Sequence, residues 1–281
     1  YVAACIAEVW SLEDALKIIV KRAQLINSLP KGGGMLALSV GETEAAQLMA
    51  KYEKITIATV NSPSQVVLSG DKEQLQLLSK ELDEQMIDNK LLNVSHAFHS
   101  HLTEPILEEF DAFMQTIEFN QPKIPIISNL NGEENKEITT ANYWKRHIRE
   151  AVQFKKGMQT LFKMGCHIFL EVGPHPILST IGMANVDELD DSITWIYSQK
   201  RGSEDGSTIA EALVKLYKKG FSINWQSFDA PFHRNKDPFS PTYPFQRERI
   251  DEKNIPTISI HSYSKKNSAI ENEYLEIPTS I

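Results

Sequence analysis

GGGMLALSVGETEAAQLMAKYEKITIATVNSPSQVVLSGDKEQLQLLSKELDEQMIDNKLLN, residues 32–93, is the stretch on which the fold turns. GMLALSV, ITIATVN, SQVVLSG and NKLLNVS are short apolar runs bounded by turn-forming residues, which predicts strands. ETEAAQLMAKY and KEQLQLLSKELDEQM carry apolar residues at helical spacing and predict helices. The order strand, helix, strand, strand, helix, strand is the split βαβ unit of ferredoxin-like domains. Gly32-Gly33-Gly34 precedes a strand rather than a helix, so it reads as a hinge into this unit and not as a phosphate cradle.

Outward from this unit the chain reads as one α/β domain that the unit interrupts. Upstream, Ser11 with Asp14 three residues later predicts a capped helix over 11–29. On a helical wheel Leu12, Ala15, Leu16, Ile19, Ala23 and Ile26 form its apolar stripe. Downstream come a helix near 102–116, an apolar strand at Ile124 to Asn129, helices near 140–164 and a strand at His167 to Val172. A turn at Gly173-Pro174-His175-Pro176, a strand at Ile193 to Ser198 and a helix capped by Ser207 and running to about Lys219 follow. The expected organisation is residues 1–31 as the first part of a main subdomain, 32–93 as the small subdomain and 94–220 as the main subdomain continued. Residues 221–250, rich in proline and aromatics, form an extended linker, and 251–281 a polar, flexible tail.

At 281 residues with 41% apolar content the chain has the means to bury a substantial core. Its formal net charge of −8 argues against nucleic acid or an acidic membrane as partner, so any anion site has to be local. Cys5 and Cys166 form no CxxC pair and no framework, which fits a reducing, cytoplasmic setting without a zinc site. No apolar run approaches the roughly 18 to 20 residues that span a bilayer. The first residue is Tyr rather than Met, and the chain is expected to start inside a larger protein.

Arg22 lies about 60° from the centre of the apolar stripe, between Ile19 and Ile26. A guanidinium in such a place calls for a carboxylate or phosphate, from a ligand or from an internal ion pair, unless it snorkels to water. Ser95-His96-Ala97-Phe98-His99-Ser100-His101 holds three histidines where the insert returns to the main domain. A histidine there suits a general base, with an idle loop histidine as the plain alternative. A metal site is the weaker rival, because no Cys is near and the spacing matches no common zinc pattern. Asn61 and Gln65 sit at a tight turn and are explained by turn chemistry alone; Gln153 reads as a surface residue. No GxSxG, P-loop or GxGxxG occurs, so the residues themselves offer a base and an anion site without a nucleophile.

Six motifs in register carry a resemblance. YVAACIAEVWSLEDALKIIVKRAQLI, ATVNSPSQVVLSG, HAFHS at 96–100, YWKRHIREAVQF at 143–154, LEVGPHP at 170–176 and PTYPFQRER at 241–249 occur in order over about residues 1–250. Together they resemble the malonyl-CoA:acyl carrier protein transacylases, above all the acyltransferase domains of type I polyketide synthases. The resemblance implies a hydrolase-like α/β main subdomain with a ferredoxin-like insert, and a chain that starts just after the family's G-H-S-x-G-E serine motif. By that reading the serine nucleophile lies outside the chain, which would be inactive alone. It assigns His99 as general base, Arg22 as partner of the malonyl carboxylate, and Phe98, His96 and Asn61 to substrate binding. Gln153 falls where a family backbone carbonyl orients the histidine. Phe98 in HAFH accompanies malonyl in this family, a steric preference worth about 1 to 3 kcal/mol.

No metal or redox cofactor is implied. The implied partners are a coenzyme A thioester, an acyl carrier protein with its phosphopantetheine thiol and an adjacent ketosynthase, in a homodimeric parent. The linker departs from the family where Ile250-Asp251 stands in place of an aromatic pair. Two rivals remain: a non-catalytic scaffold derived from an acyltransferase, and a ferredoxin-like module binding metal through its histidines.

Overall fold

Two helices begin the chain in the computed structural model, which describes residues 1–186 and 192–230. Helix α1 (Val2–Ile6) leads to α2 (Leu12–Ser28). The Ser11 hydroxyl accepts the amide N–H of Asp14 at 3.0 Å, the cap expected at that position. The apolar stripe is not the expected one. Of its members Ala15 and Ile26 are buried, whereas Leu12, Leu16, Ile19 and Ala23 are exposed, and Ile18 and Leu25 complete the buried face. At 3.6 residues per turn this rotates the buried face by roughly 80° and brings Arg22 to its middle. The helix carries two apolar stripes, and packing against Phe110 and Met114 selects the one that a wheel drawn for α2 alone cannot.

The next elements are β1 (Gly33–Leu38), α3 (Glu42–Met49), β2 (Ile55–Ser62), β3 (Gln65–Asp71), α4 (Lys72–Glu84) and the short β4 (Asn89–Leu91). They form one four-stranded sheet in the order β2-β3-β1-β4, antiparallel at every contact, which is the predicted ferredoxin-like arrangement. Leu36, Leu38, Val60, Val66 and Leu68 face Leu75, Leu78 and Leu82 of α4 across one side. Gly70 crosses β2 so closely that a Cβ there would lie 2.0 Å from the Lys54 carbonyl oxygen. On the other side Met35, Ala58 and Val67 pack with Val94 and Phe98, which seats the histidine segment against the sheet.

A 3-10 turn (His101–Ile106) containing Pro105 opens the helix expected near 102–116 and passes into α5 (Leu107–Met114). The strand expected at Ile124 to Asn129 is absent, and a single bridge between Ile127 and Glu134 stands in its place. Pro125 removes an N–H from the run and Ile124 is half exposed, so neither a ladder nor burial holds it extended. Helices α6 (Ala141–Arg149) and α7 (Phe154–Lys163) lead to β5 (Ile168–Glu171), α8 (Ile177–Met183) and β6 (Thr194–Tyr197). Strands β5 and β6 pair in parallel. Helix α9 (Asp205–Lys218) begins two residues before Ser207, with Glu204 rather than Ser207 at its cap position. Asp205 supplies the acidic first turn that favours this earlier start.

The chain divides into two compact units after Ile223, and the described part of the second holds α10 (Trp225–Asp229), capped by Asn224. Most of the expected linker, the PTYPFQRER motif and the tail at 251–281 lie outside the described residues.

Candidate active site

His99 stands at the turn by which the chain leaves the sheet, in the left-handed region with φ 57°. A non-glycine residue there carries backbone strain, a feature that clusters at functional sites. Thr56 Oγ1 donates to the His99 carbonyl at 3.4 Å, and Ser100 locks the next turn through its bond to the Ala97 carbonyl at 2.7 Å. The His99 Nδ1 donates to the backbone carbonyl of Glu150 at 2.9 Å. A carbonyl only accepts, so the proton sits on Nδ1 and Nε2 keeps its lone pair, the tautomer a general base requires.

The residue giving that carbonyl corrects the sequence reading, which pointed to Gln153. Helix α6 ends at Arg149, and Glu150 turns to extended geometry with ψ 159°, so its carbonyl leaves the helical ladder and is free for His99. Three residues later Gln153 is already the cap residue of α7; its N–H donates to Asn129 O at 2.7 Å. The side-chain oxygen of Gln153 is buried without a partner.

Arg22 projects from the buried face of α2 with its guanidinium over the Tyr1 ring, 5.5 Å from the centroid. Its Nε is buried without a hydrogen-bond partner. None of the ion pairs among the described residues includes it. Of the readings left open by periodicity, an internal ion pair is thereby removed for the described residues, leaving a ligand anion or exposure to water. Arg22 is thus a half-buried cation with no counter-ion among the described residues.

Burial pushes the His99 pKa below the usual histidine value, and the nearby Arg22 charge pushes the same way, against the bond to Glu150. His147, unremarked in the sequence reading, lies beside His99 with ring centroids 6.3 Å apart. It packs against Tyr1, Tyr143 and Trp144, and its Nε2 lies 3.4 Å from Asn129 Nδ2. Burial foremost, then repulsion from His99, from the amino group of Tyr1 and from Arg22, lowers its pKa to about 3. Two neutral imidazoles and one permanent cation therefore share the site at neutral pH. The signal for His147 was present in YWKRHIREAVQF, where Tyr143 and Trp144 precede it by four and three residues and mark one buried helix face.

Beside His99 lies a cavity of about 410 Å³. Phe98, Met35, Leu178 and Ile181 give it apolar walls, and Asn61 and Asn129 bring amides. Asn61 is held by the Thr59 hydroxyl, and its own backbone carbonyl accepts from Asn185 at 2.8 Å. Helix α8, which brings Leu178 and Ile181, is tethered by Glu171, whose carboxylate accepts the amides of Ile177, Leu178 and Ser179 at 3.1, 3.0 and 2.7 Å. The LEVGPHP motif thus shapes the cavity wall through Glu171. His96, expected at the substrate, is buried instead, with Nδ1 3.0 Å from the Ser95 hydroxyl, and does not line this cavity. Among the described residues, neither serine nor cysteine lines it. Among the described residues, no group of three or more His, Cys, Asp or Glu side chains is placed to hold a metal ion.

The site thus brings together a carbonyl-held imidazole, an arginine that joins no ion pair among the described residues, and a largely apolar cavity. Residues 1–221 match the acyl transferase domain family. The chain is 36% identical over 253 residues to the PKS-NRPS hybrid synthetase acdB of Aspergillus candidus, covering 88% of this chain and 10% of that protein. It is 34% identical over 251 residues to the polyketide synthase GfsA of Streptomyces halstedii, covering 88% of this chain and 3% of that protein. Among solved structures, the acyltransferase domain from the second module of the salinomycin polyketide synthase superposes with a TM-score of 0.75 at 30% identity. That match covers 82% of this chain and 54% of the solved one. The chain belongs to the acyl transferase domain family, in the form carried by type I polyketide synthases. It spans a small fraction of the synthases it matches and about half of the solved domain.

Proposed function

We propose that the chain is part of a domain that moves a malonyl extender unit from malonyl-CoA, through a serine oxyester, to the phosphopantetheine thiol of an acyl carrier protein. The observation that carries this reading is His99 with Nδ1 fixed on the Glu150 carbonyl, near an Arg22 that has no counter-ion among the described residues. Arg22 takes the malonyl carboxylate. His99 Nε2 takes the proton of the serine hydroxyl as its oxygen attacks the thioester carbonyl, and returns it to the departing coenzyme A sulfur. In the second half-reaction the imidazole takes the proton of the carrier thiol, the sulfur attacks the oxyester, and the serine oxygen leaves with that proton. In this reading the serine is the one of the family's G-H-S-x-G-E motif, which does not occur in these 281 residues. Phe98 narrows the cavity against a branch methyl, and Asn61 contacts the acyl or pantetheine portion. The subdomain limits at 31/32, 93/94 and 220/221, the linker to a ketosynthase, a homodimeric parent and a cytoplasmic setting belong to the same proposal.

The test is loading of the intact parent protein with malonyl-CoA and with acetyl-CoA. Arg22→Ala is expected to lose malonyl loading far more than acetyl loading, and His99→Ala to lose both by roughly 10²- to 10⁴-fold. Equal losses for the two donors in Arg22→Ala would sink the carboxylate role. A parent sequence lacking G-H-S-x-G-E would favour the docking scaffold instead.

A further inference from the structure

The carbonyl that holds His99 belongs to a residue that is itself held. Arg146 Nε donates to Glu150 Oε1 at 2.7 Å and Nη2 to Oε2 at 3.1 Å, a two-pronged clamp across the last turn of α6. The third nitrogen, Nη1, reaches Glu137 Oε2 at 3.2 Å in the 3-10 turn before the helix. Beyond Glu150 the backbone is pinned to β2, since Val152 N donates to Ala58 O at 2.8 Å and Val60 N to Val152 O at 2.9 Å. The helix thus stops, and the chain turns extended, at the one residue whose side chain Arg146 grips and whose carbonyl His99 uses. An isolated exposed ion pair contributes little, but a bidentate arginine within a network has the geometry to fix a side chain in place.

We propose that Arg146 and Glu150 are positioning residues that set the direction of the Glu150 carbonyl and so the ring orientation and tautomer of His99. The proposal rests on the reading of His99 as general base. The plain alternative is that the clamp only stabilises the end of α6. Lys145 separates the two, because it makes an ion pair of similar length from the same helix, 2.6 Å to Glu108, without touching Glu150.

The experiment uses the intact parent protein as wild type, Arg146→Ala, Arg146→Lys, Glu150→Gln and Lys145→Ala. Two quantities are read: kcat and KM for malonyl transfer, and the pH midpoint of His99 carbethoxylation by diethyl pyrocarbonate, followed by peptide mass mapping. The groups facing His99 that bear on the midpoint are Arg22 and His147, and all five proteins share them. Arg146→Ala is expected to lower kcat about tenfold with KM unchanged, since neither residue touches the donor. Its carbethoxylation midpoint should fall, because the bond to the carbonyl favours the charged ring. Arg146→Lys should recover most of both, and Glu150→Gln, which keeps the side-chain length, serves if the alanine variant does not fold. Values of kcat and midpoint equal to those of Lys145→Ala overturn the proposal. A wild type that transfers no malonyl while its His99 midpoint still follows Arg146 overturns the function proposed above and leaves the positioning role standing.

Discussion

The four-stranded unit and the region around His99 bury their residues for opposite reasons. In the sheet, Leu36, Leu38, Val60, Val66 and Leu68 form one apolar cluster with Leu75, Leu78 and Leu82 of α4, and the buried polar side chains of these strands are two small serines, Ser62 and Ser69. Around His99 an arginine, two imidazoles and the amide of Asn61 are partly buried, and the exposed Asn129 lies beside them. The first arrangement lowers free energy by removing apolar area from water, roughly 25 cal/mol per Å². The second raises it by desolvating polar groups, visible in the lowered pKa of both histidines. One region therefore supplies stability while the other costs some in holding ionisable groups away from water, and variants of the two should respond to different variables.

The largest effect is expected in the sheet. Leu68 is fully buried at the centre of β3. Leu68→Ala should destabilise the chain by about 2 to 5 kcal/mol, read from the urea midpoint at unchanged slope, with little dependence on pH. A strongly pH-dependent loss would break the division between the two regions.

The same division governs what was legible in the sequence. The sheet unit reads correctly because its partners are neighbours: Ile55 to Asp71 is a hairpin with a two-residue turn, and α4 starts where Asp71 accepts the Gln74 amide at 3.0 Å. The site reads less well because it depends on distant contacts. Arg22 and His99 are chemically distinctive and stand out. The Glu150 carbonyl does not, since every residue carries one, and only the end of α6 decides which is free. The face of α2 was misread because Leu16 and Ile18 are equally apolar, and only packing against Phe110 distinguishes them.

A second effect, of intermediate size, should come from His147. Its folded pKa of about 3 lies below the ordinary histidine value of 6.5. Between those values the unfolded chain binds a proton that the folded chain does not, so stability is present in full above 6.5 and falls as pH drops toward about 3. The slope contributed is at most about 1.4 kcal/mol per pH unit. His147→Asn should flatten the stability–pH curve in that window by up to this slope, as measured by urea unfolding at pH 4 to 7. An unchanged slope would place the acid sensitivity elsewhere. For His99, whose pKa is lowered in the same direction, transfer should rise with pH to a plateau, with its midpoint below the ordinary histidine value.

The smallest effect is expected on the outer side of α2, where the two regions contrast most directly. Leu16 is 56% exposed and Val20 55%, although both are as apolar as the leucines of the sheet. If burial rather than residue type sets the contribution, Leu16→Ala should change the unfolding free energy of this chain by no more than about 0.5 kcal/mol. Alanine has a helix propensity at least as high as leucine, which removes the other source of loss. The comparison with Leu68→Ala then holds chemistry fixed and varies only environment. A loss at Leu16 approaching that at Leu68 would mean that this face of α2 is covered in solution, and the contrast between a closed sheet and an open helix face would fall with it.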